Sequence, residues 1–310
     1  MVTRIVFSMV APMSRPLLLL AAACALAAGC GGGDDGRTTV VATTTQAADL
    51  VRQVAGERVA VRGVLAPNSD PHDHEVRPED VKALARAELV VRSGGEVDEW
   101  LGGAIDSAGA DAPVVDLLDV VAPGSEDPHW WQDPRLASRA VEAIRAALVR
   151  ADPAGEPAFA AAAEAYGKRL RALDVAAARC LAQIPSEGRK LVTAHDALGF
   201  YARRYGVEVV GTVIPSLSTQ AQASAGDLAA LVDTIRREDV RAIFAESSVD
   251  AKVEEAIAAE TGASVGRPLW ADTLGPPGSS GATYADSLRA NTAAIVEGLS
   301  GGTRSCPLPR

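Results

Sequence analysis

The sequence predicts an α/β protein of two lobes, each a roughly four-stranded, mostly parallel sheet flanked by helices, joined by one long backbone helix. Three observations predict it. β-branched runs alternate with helical patterns in the first half of the chain. The alternation restarts after residue 185. Between the halves, Ala158 to Ile184 holds no Pro and one Gly, and is rich in Ala, Leu and Arg; as a helix it spans about 40 Å. With 48% apolar residues, the 310-residue chain can fill two cores of ordinary domain size.

Residues 1–29 read as a signal peptide. Arg4 and Arg15 are the only charges before Asp34, and the apolar run from Pro16 to Ala28 is shorter than the roughly 20 residues a spanning helix needs. Leu26-Ala27-Ala28-Gly29-Cys30 puts small residues before a Cys, as in the lipobox of bacterial lipoproteins, where that Cys becomes the lipidated N-terminus. An ordinary secretory signal with an unmodified Cys is the alternative, and Cys24, after three alanines, is a weaker candidate. "GGGDDG" then reads as a flexible polar tether within residues 30–37. It is not a phosphate loop, since no strand precedes it and no helix follows.

The N-terminal lobe is expected over 38–152. Its strands are "TTVVATTT" (38–45), "RVAVRGVL" (58–65), "AELVVRSG" (87–94) and "APVVDLL" (112–118). Helices follow at 46–56, ending at Gly56, and at 77–87, with Pro78 in the first turn. "PRLASRAVEAIRAALVRAD" (134–152) is an amphipathic helix. The linking helix takes 153–184. The C-terminal lobe, 185–310, has strands at 189–195, 207–213, 240–247 and 265–272, and helices near 197–205, 225–238, 250–261 and 283–299.

Residues 1–29 carry two Arg and no acid, so their removal takes the net charge from −10 to −12. That argues against nucleic acid as a partner and suits an extracytoplasmic protein that attracts cations weakly. Cys180 and Cys306 are the two cysteines outside the signal region. An even number in an oxidising compartment makes a single disulfide the expectation, with two separate thiols as the alternative.

Histidine is scarce: four in the chain. His72 and His74 lie in "SDPHDHE" after the second strand. His129 follows a second Asp-Pro, in "EDPHWWQDP", after the fourth strand. His195 ends the strand "KLVTAH", and Asp272 ends "PLWAD". In doubly wound sheets ligands bind outside the carboxyl ends of strands. Three imidazoles and one carboxylate, two from each lobe, make a tetrahedral set of the kind Zn²⁺ accepts. The alternative for each alone is a loop histidine with its hydrogen bonds met, or a capping aspartate. His74 is the spare: a solvated neighbour of His72, or an alternative ligand. Trp130 and Trp131 either pack over the site and exclude water or fill core and interlobe space.

These segments resemble the metal-specific substrate-binding proteins of bacterial ABC transporters, the group that holds zinc and manganese receptors. "APNSDPHDHEVRPEDVKAL" is similar to the first motif of that family, and implies His72 as first ligand. The family usually has an aromatic residue two positions later, then Glu and Pro, where this chain has His74, Glu75 and Val76. "EDPHWWQDPRLA" implies His129 as second ligand, "LVTAHDALGFYARRYGVEVVGT" implies His195, and "RPLWADTLG" implies Asp272. The resemblance covers essentially the whole mature chain. Manganese receptors of the family tend to carry a carboxylate at the third position and zinc receptors a His, so the set leans to Zn²⁺ over Mn²⁺. The His- and acid-rich loop of many zinc receptors is absent: "VAPGSEDP" (121–128) is short and holds no His.

The expectation is an extracytoplasmic, high-affinity zinc receptor that delivers its ion to a membrane ABC permease. It would be a monomer, anchored through Cys30 to the outer face of the cytoplasmic membrane, or periplasmic. A manganese receptor is one alternative. A zinc hydrolase with an open coordination position is another, against which stand the lack of a His-Glu-x-x-His helix and the presence of four protein ligands. A receptor for a metal chelate gives the three histidines no reason to converge.

Overall fold

The structure, a computed structural model, describes residues 1–2 and 36–309. The expected signal peptide beyond its first two residues, Cys30, and all but the last two residues of the tether lie outside the described residues.

Four strands, β1 (Thr38–Ala42), β2 (Val59–Gly63), β3 (Leu89–Arg92) and β4 (Val114–Asp116), form a parallel sheet in the order β2-β1-β3-β4. A second parallel sheet repeats the order as β6-β5-β7-β8, from β5 (Lys190–Thr193), β6 (Glu208–Thr212), β7 (Ala242–Phe244) and β8 (Ser264–Val265). The inner strands β1 and β3 are covered on both faces, so Val40, Val41, Val90 and Val91 are all fully buried. In the first lobe the helices are α1 (Thr45–Ala55), α2 (Pro78–Leu84), α3 (Leu101–Ala108), the short α4 (Leu117–Val121) and α5 (Pro134–Ala151). α5 starts where the sequence signals a start: the Asp133 side chain accepts from Arg135 N–H at 2.9 Å, and Pro134 takes the first helical position.

The linking helix is α6 (Glu156–Leu181), after a 3₁₀ turn at Pro153–Gly155. Its two halves belong to different cores. Phe159, Ala163, Tyr166 and Leu170 pack with α1, α5 and the first sheet. Leu173, Ala177, Cys180 and Leu181 pack with the second lobe. Each fully buried large apolar side chain is worth roughly 1.5–3 kcal/mol, so α6 is fastened to both lobes. The second lobe continues with α7 (Gly199–Tyr205), α8 (Ala225–Arg237), α9 (Lys252–Thr261) and α10 (Tyr284–Leu299). Cys180 and Cys306 are disulfide-bonded, with Cα atoms 5.5 Å apart, a normal span for such a bridge.

Every strand ends before its expected last residue, and for two the cause is local. "APVVDLL" yields β4 only to Asp116, whose side chain accepts from Asp119 N–H and caps α4. "VGRPLWAD" yields only the start of β8. Pro268 has no N–H for a ladder, and the chain returns to the sheet at one isolated bridge, Leu269 beside Glu246. No described helix is long and apolar enough to cross a membrane.

Candidate metal centre

The two Asp-Pro-His segments fold alike. Asp70 Oδ1 accepts the backbone N–H of His72 at 2.9 Å, and Asp127 Oδ1 accepts that of His129 at 3.0 Å. Each is an Asx turn: the short carboxylate bonds the backbone two residues on, and Pro presets the intervening φ. One such turn lies between β2 and α2, the other between α4 and α5, both beyond the carboxyl ends of the first sheet's strands. His195 stands two residues after β5, and Asp272 three after Leu269.

The four side chains meet. Nε2 of His72, His129 and His195 lie 3.2, 3.4 and 3.0 Å from an oxygen of Asp272, and one ligand atom from each residue lies within 4.8 Å of all the others. The side chains of His129, His195 and Asp272 are fully shut off from solvent and that of His72 is 2% exposed. His72 Nε2 and both oxygens of Asp272 have no hydrogen-bond partner. Buried polar groups are nearly always paired, so this set is suited to a cation. Nδ1 of His129 meets Asp127 Oδ1 at 2.9 Å, and Nδ1 of His195 meets Glu246 Oε1 at 2.5 Å. A carboxylate behind Nδ1 fixes the tautomer that turns the Nε2 lone pair inward. The two Nε2 atoms are then 3.3 Å apart, a repulsive contact unless a proton or metal lies between them.

The electrostatics agree. Burial alone would lower the His195 pKa, but the carboxylates of Asp272 and Glu246 outweigh it and hold the imidazole well above its ordinary value. Burial alone would raise Asp272, but His195 and His129 hold it well below the usual carboxylate range. Glu246 is pushed up by burial, against the pull of His195.

Interlobe bonds place the halves of the site. The Trp131 indole and the Gln132 amide donate to the carbonyl of Ala271 at 2.8 and 2.9 Å, next to Asp272. Trp131 also packs edge-on to His129, with ring centroids 5.4 Å apart. Trp130 turns into the first core, where its indole donates to Ser93 O. Of the two readings, Trp131 thus covers the site and Trp130 is core.

His74 is not a solvated neighbour. Its side chain is 6% exposed, with Nε2 3.2 Å from Asp80 Oδ2 and its ring centroid 4.7 Å from that of Trp100. It lies outside the four-residue cluster. Its ring meets Trp100 rather than the cluster, at the sequence position where the resemblance leads one to expect an aromatic residue. Glu246 and Asp127 were not singled out in the sequence. Glu246 carries the same signal as His195 and Asp272: a lone polar residue ending an apolar strand.

Residues 40–298 match the family model described as zinc-uptake complex component A, periplasmic. The chain belongs to that family. It is 32% identical over 265 residues to the zinc-binding protein TroA of Treponema pallidum, covering 81% of this chain and 85% of TroA. The solved structure of periplasmic zinc-binding TroA superposes with a TM-score of 0.80 at 31% identity, over 85% of this chain and 99% of that one. The manganese-binding lipoprotein MntA of Bacillus subtilis is 31% identical over 268 residues, covering 82% of this chain and 87% of MntA. The iron-binding protein YfeA of Yersinia pestis is 27% identical, over 81% of this chain and 83% of its own. The chain is thus a metal-binding substrate receptor of an ABC transporter and not an enzyme. Its family implies a permease partner and an extracytoplasmic place.

Proposed function

We propose that this receptor captures Zn²⁺ with high affinity and hands it to its permease, with His72, His129, His195 and Asp272 as the four ligands. The observation that carries the reading is the convergence of three imidazole Nε2 atoms on one buried carboxylate. Relatives are named for zinc, manganese and iron, so the ligand chemistry decides. Imidazole nitrogen suits Zn²⁺, whereas Mn²⁺ favours oxygen and a higher coordination number. Zn²⁺ is the cargo and takes no part in bond-making.

The lobes of this reading are 38–152 and 185–310, with 153–184 between them. Because α6 packs into both cores, opening would proceed by small tilts and loop motions rather than by a wide hinge. The receptor would act as a monomer, lipidated at Cys30.

Two measurements test the proposal. Protein purified without added metal should carry about one zinc per chain by metal analysis, as a four-ligand site requires. In competitive titration against a chelating indicator, His195→Glu should keep Zn²⁺ but shrink the zinc-to-manganese affinity ratio, since a carboxylate hardens the site. Manganese in the purified protein, or an unchanged ratio in His195→Glu, sinks the zinc assignment. For the anchor, Cys30→Ala protein that stayed with the membrane fraction as fully as wild type would rule out lipidation there.

A further inference from the structure

His72 is held differently from the other two histidines. Nδ1 of His129 and Nδ1 of His195 each meet a carboxylate of their own lobe. His72 has no such partner behind its ring: its Nε2 faces Asp272 Oδ2 at 3.2 Å, and among the described residues no carboxylate meets its Nδ1. Its turn is gripped from the opposite lobe instead. Thr219 Oγ1 donates to Asp70 Oδ2 at 2.7 Å, and Gln220 Nε2 donates to the carbonyl oxygen of His72 at 2.5 Å. The same Gln220 nitrogen lies 3.4 Å from Asp73 Oδ1. Asp70 is therefore bonded on both oxygens, one to the backbone of His72 and the other across the lobes.

Thr219 and Gln220 stand in the loop between β6 and α8, "VIPSLSTQAQAS" (213–224). Its own bonds are local: Ser218 N–H to Ser216 Oγ, and Gln220 N–H to Ser218 Oγ. Ser216 O accepts from the N–H of Asp196, the residue after His195. The loop thus joins the neighbourhood of one histidine to the turn that carries another. The Thr219 bond is half-buried and the Gln220 bonds are exposed, so water can replace both at small cost. The rings of all three histidines are buried, that of His72 being 2% exposed, but only those of His129 and His195 are backed at Nδ1 by carboxylates. The turn that carries His72 is tied to the opposite lobe by two surface side chains, whereas His129 and His195 are each fixed through Nδ1 by a carboxylate of their own lobe.

We propose that Thr219 and Gln220 are positioning residues that latch the His72 turn to the opposite lobe, so that His72 is the ligand whose departure opens the site. The inference rests on the four-ligand reading above, and its experiment separates the two. Zinc-loaded mature protein is mixed with excess chelator in a stopped-flow instrument, and zinc release is followed. Thr219→Val and Gln220→Ala should each speed release about fivefold, and the pair about tenfold or more, the size expected for the loss of one partly exposed hydrogen bond each. Thr219→Ser should restore the wild-type rate. Metal stoichiometry and the absorption spectrum of Co²⁺ in the site should not change.

A loop that merely supports the fold would speed release equally in a His72→Ala background; the latch predicts no further speeding there. Release at the wild-type rate in the double variant, or equal speeding with and without His72, overturns the latch. If His72→Ala itself left zinc release unchanged, the ligand assignment would fall, and the latch with it.

Discussion

Glu246 Oε1 lies 2.5 Å from His195 Nδ1, and both side chains are sealed from solvent. The carboxylate sets the direction in which His195 presents its other nitrogen. Glu246→Ala should therefore weaken Zn²⁺ binding by about 10–100-fold, the usual effect of losing such a partner. Glu246→Gln, which still accepts from Nδ1, should lose less. Competitive titration with a chelating indicator checks both. An affinity for Glu246→Ala within a factor of about two of wild type would show that His195 needs no orientation.

Metal binding should release protons. With its pKa held well above the ordinary imidazole value, His195 holds a proton more strongly in the metal-free protein than a free imidazole does, and the metal must displace it. Affinity then rises with pH through the raised pKa. Calorimetry in buffers of different ionisation enthalpy should count about one proton per ion at neutral pH; a count of zero refutes it. The same shifts act on the metal-free fold. The His195 contribution is fully present below the unfolded value of about 6.5 and is lost as pH rises through the folded one. The Asp272 contribution, with its pKa depressed, is present above about 3.9 and is lost as pH falls through the folded value.

His74→Ala should touch stability rather than binding. It removes the ring from Trp100 and leaves Asp80 without that partner, at a cost on the order of 1–3 kcal/mol. The melting temperature of the metal-free protein should drop by a few degrees, with zinc affinity nearly unchanged. A large loss of affinity at unchanged stability would return His74 to the ligand set.

Removing the bridge as Cys180→Ser with Cys306→Ser opens a loop with a sequence separation of 126. The chain-entropy model gives roughly 4–5 kcal/mol for such a loop, as an upper figure. The melt should shift down, and reductant should then have no further effect. A variant that melts with wild type, reduced or not, shows that the bridge adds nothing.

The strand-end rule made the site legible. His72, His129, His195 and Asp272 could be gathered because sheets of this kind send functional side chains out past their carboxyl ends, and because four histidines leave few choices. α6 was legible because a long run rich in Ala, Leu and Arg without Pro has few other uses. What stayed hidden depends on contacts across the chain. The ring of His74 turns toward Trp100, a residue 26 positions on, and no local pattern announces that. Thr219 and Gln220 meet Asp70 and His72 at separations of 149 and 148. β8 holds two residues because Pro268 interrupts the ladder, a stop that the sequence itself carries.

The Cys180–Cys306 bridge also gives the chain a topology. β5 to β8 and α7 to α10 all lie between the two cysteines, so the second lobe is a covalent ring, whereas β1 to β4 lie on an open strand of chain. A single backbone cut between 181 and 305 would leave the molecule in one piece; a cut between 43 and 179 would part it in two. His195 and Asp272 are carried on the ring, and His72 and His129 on the open arm.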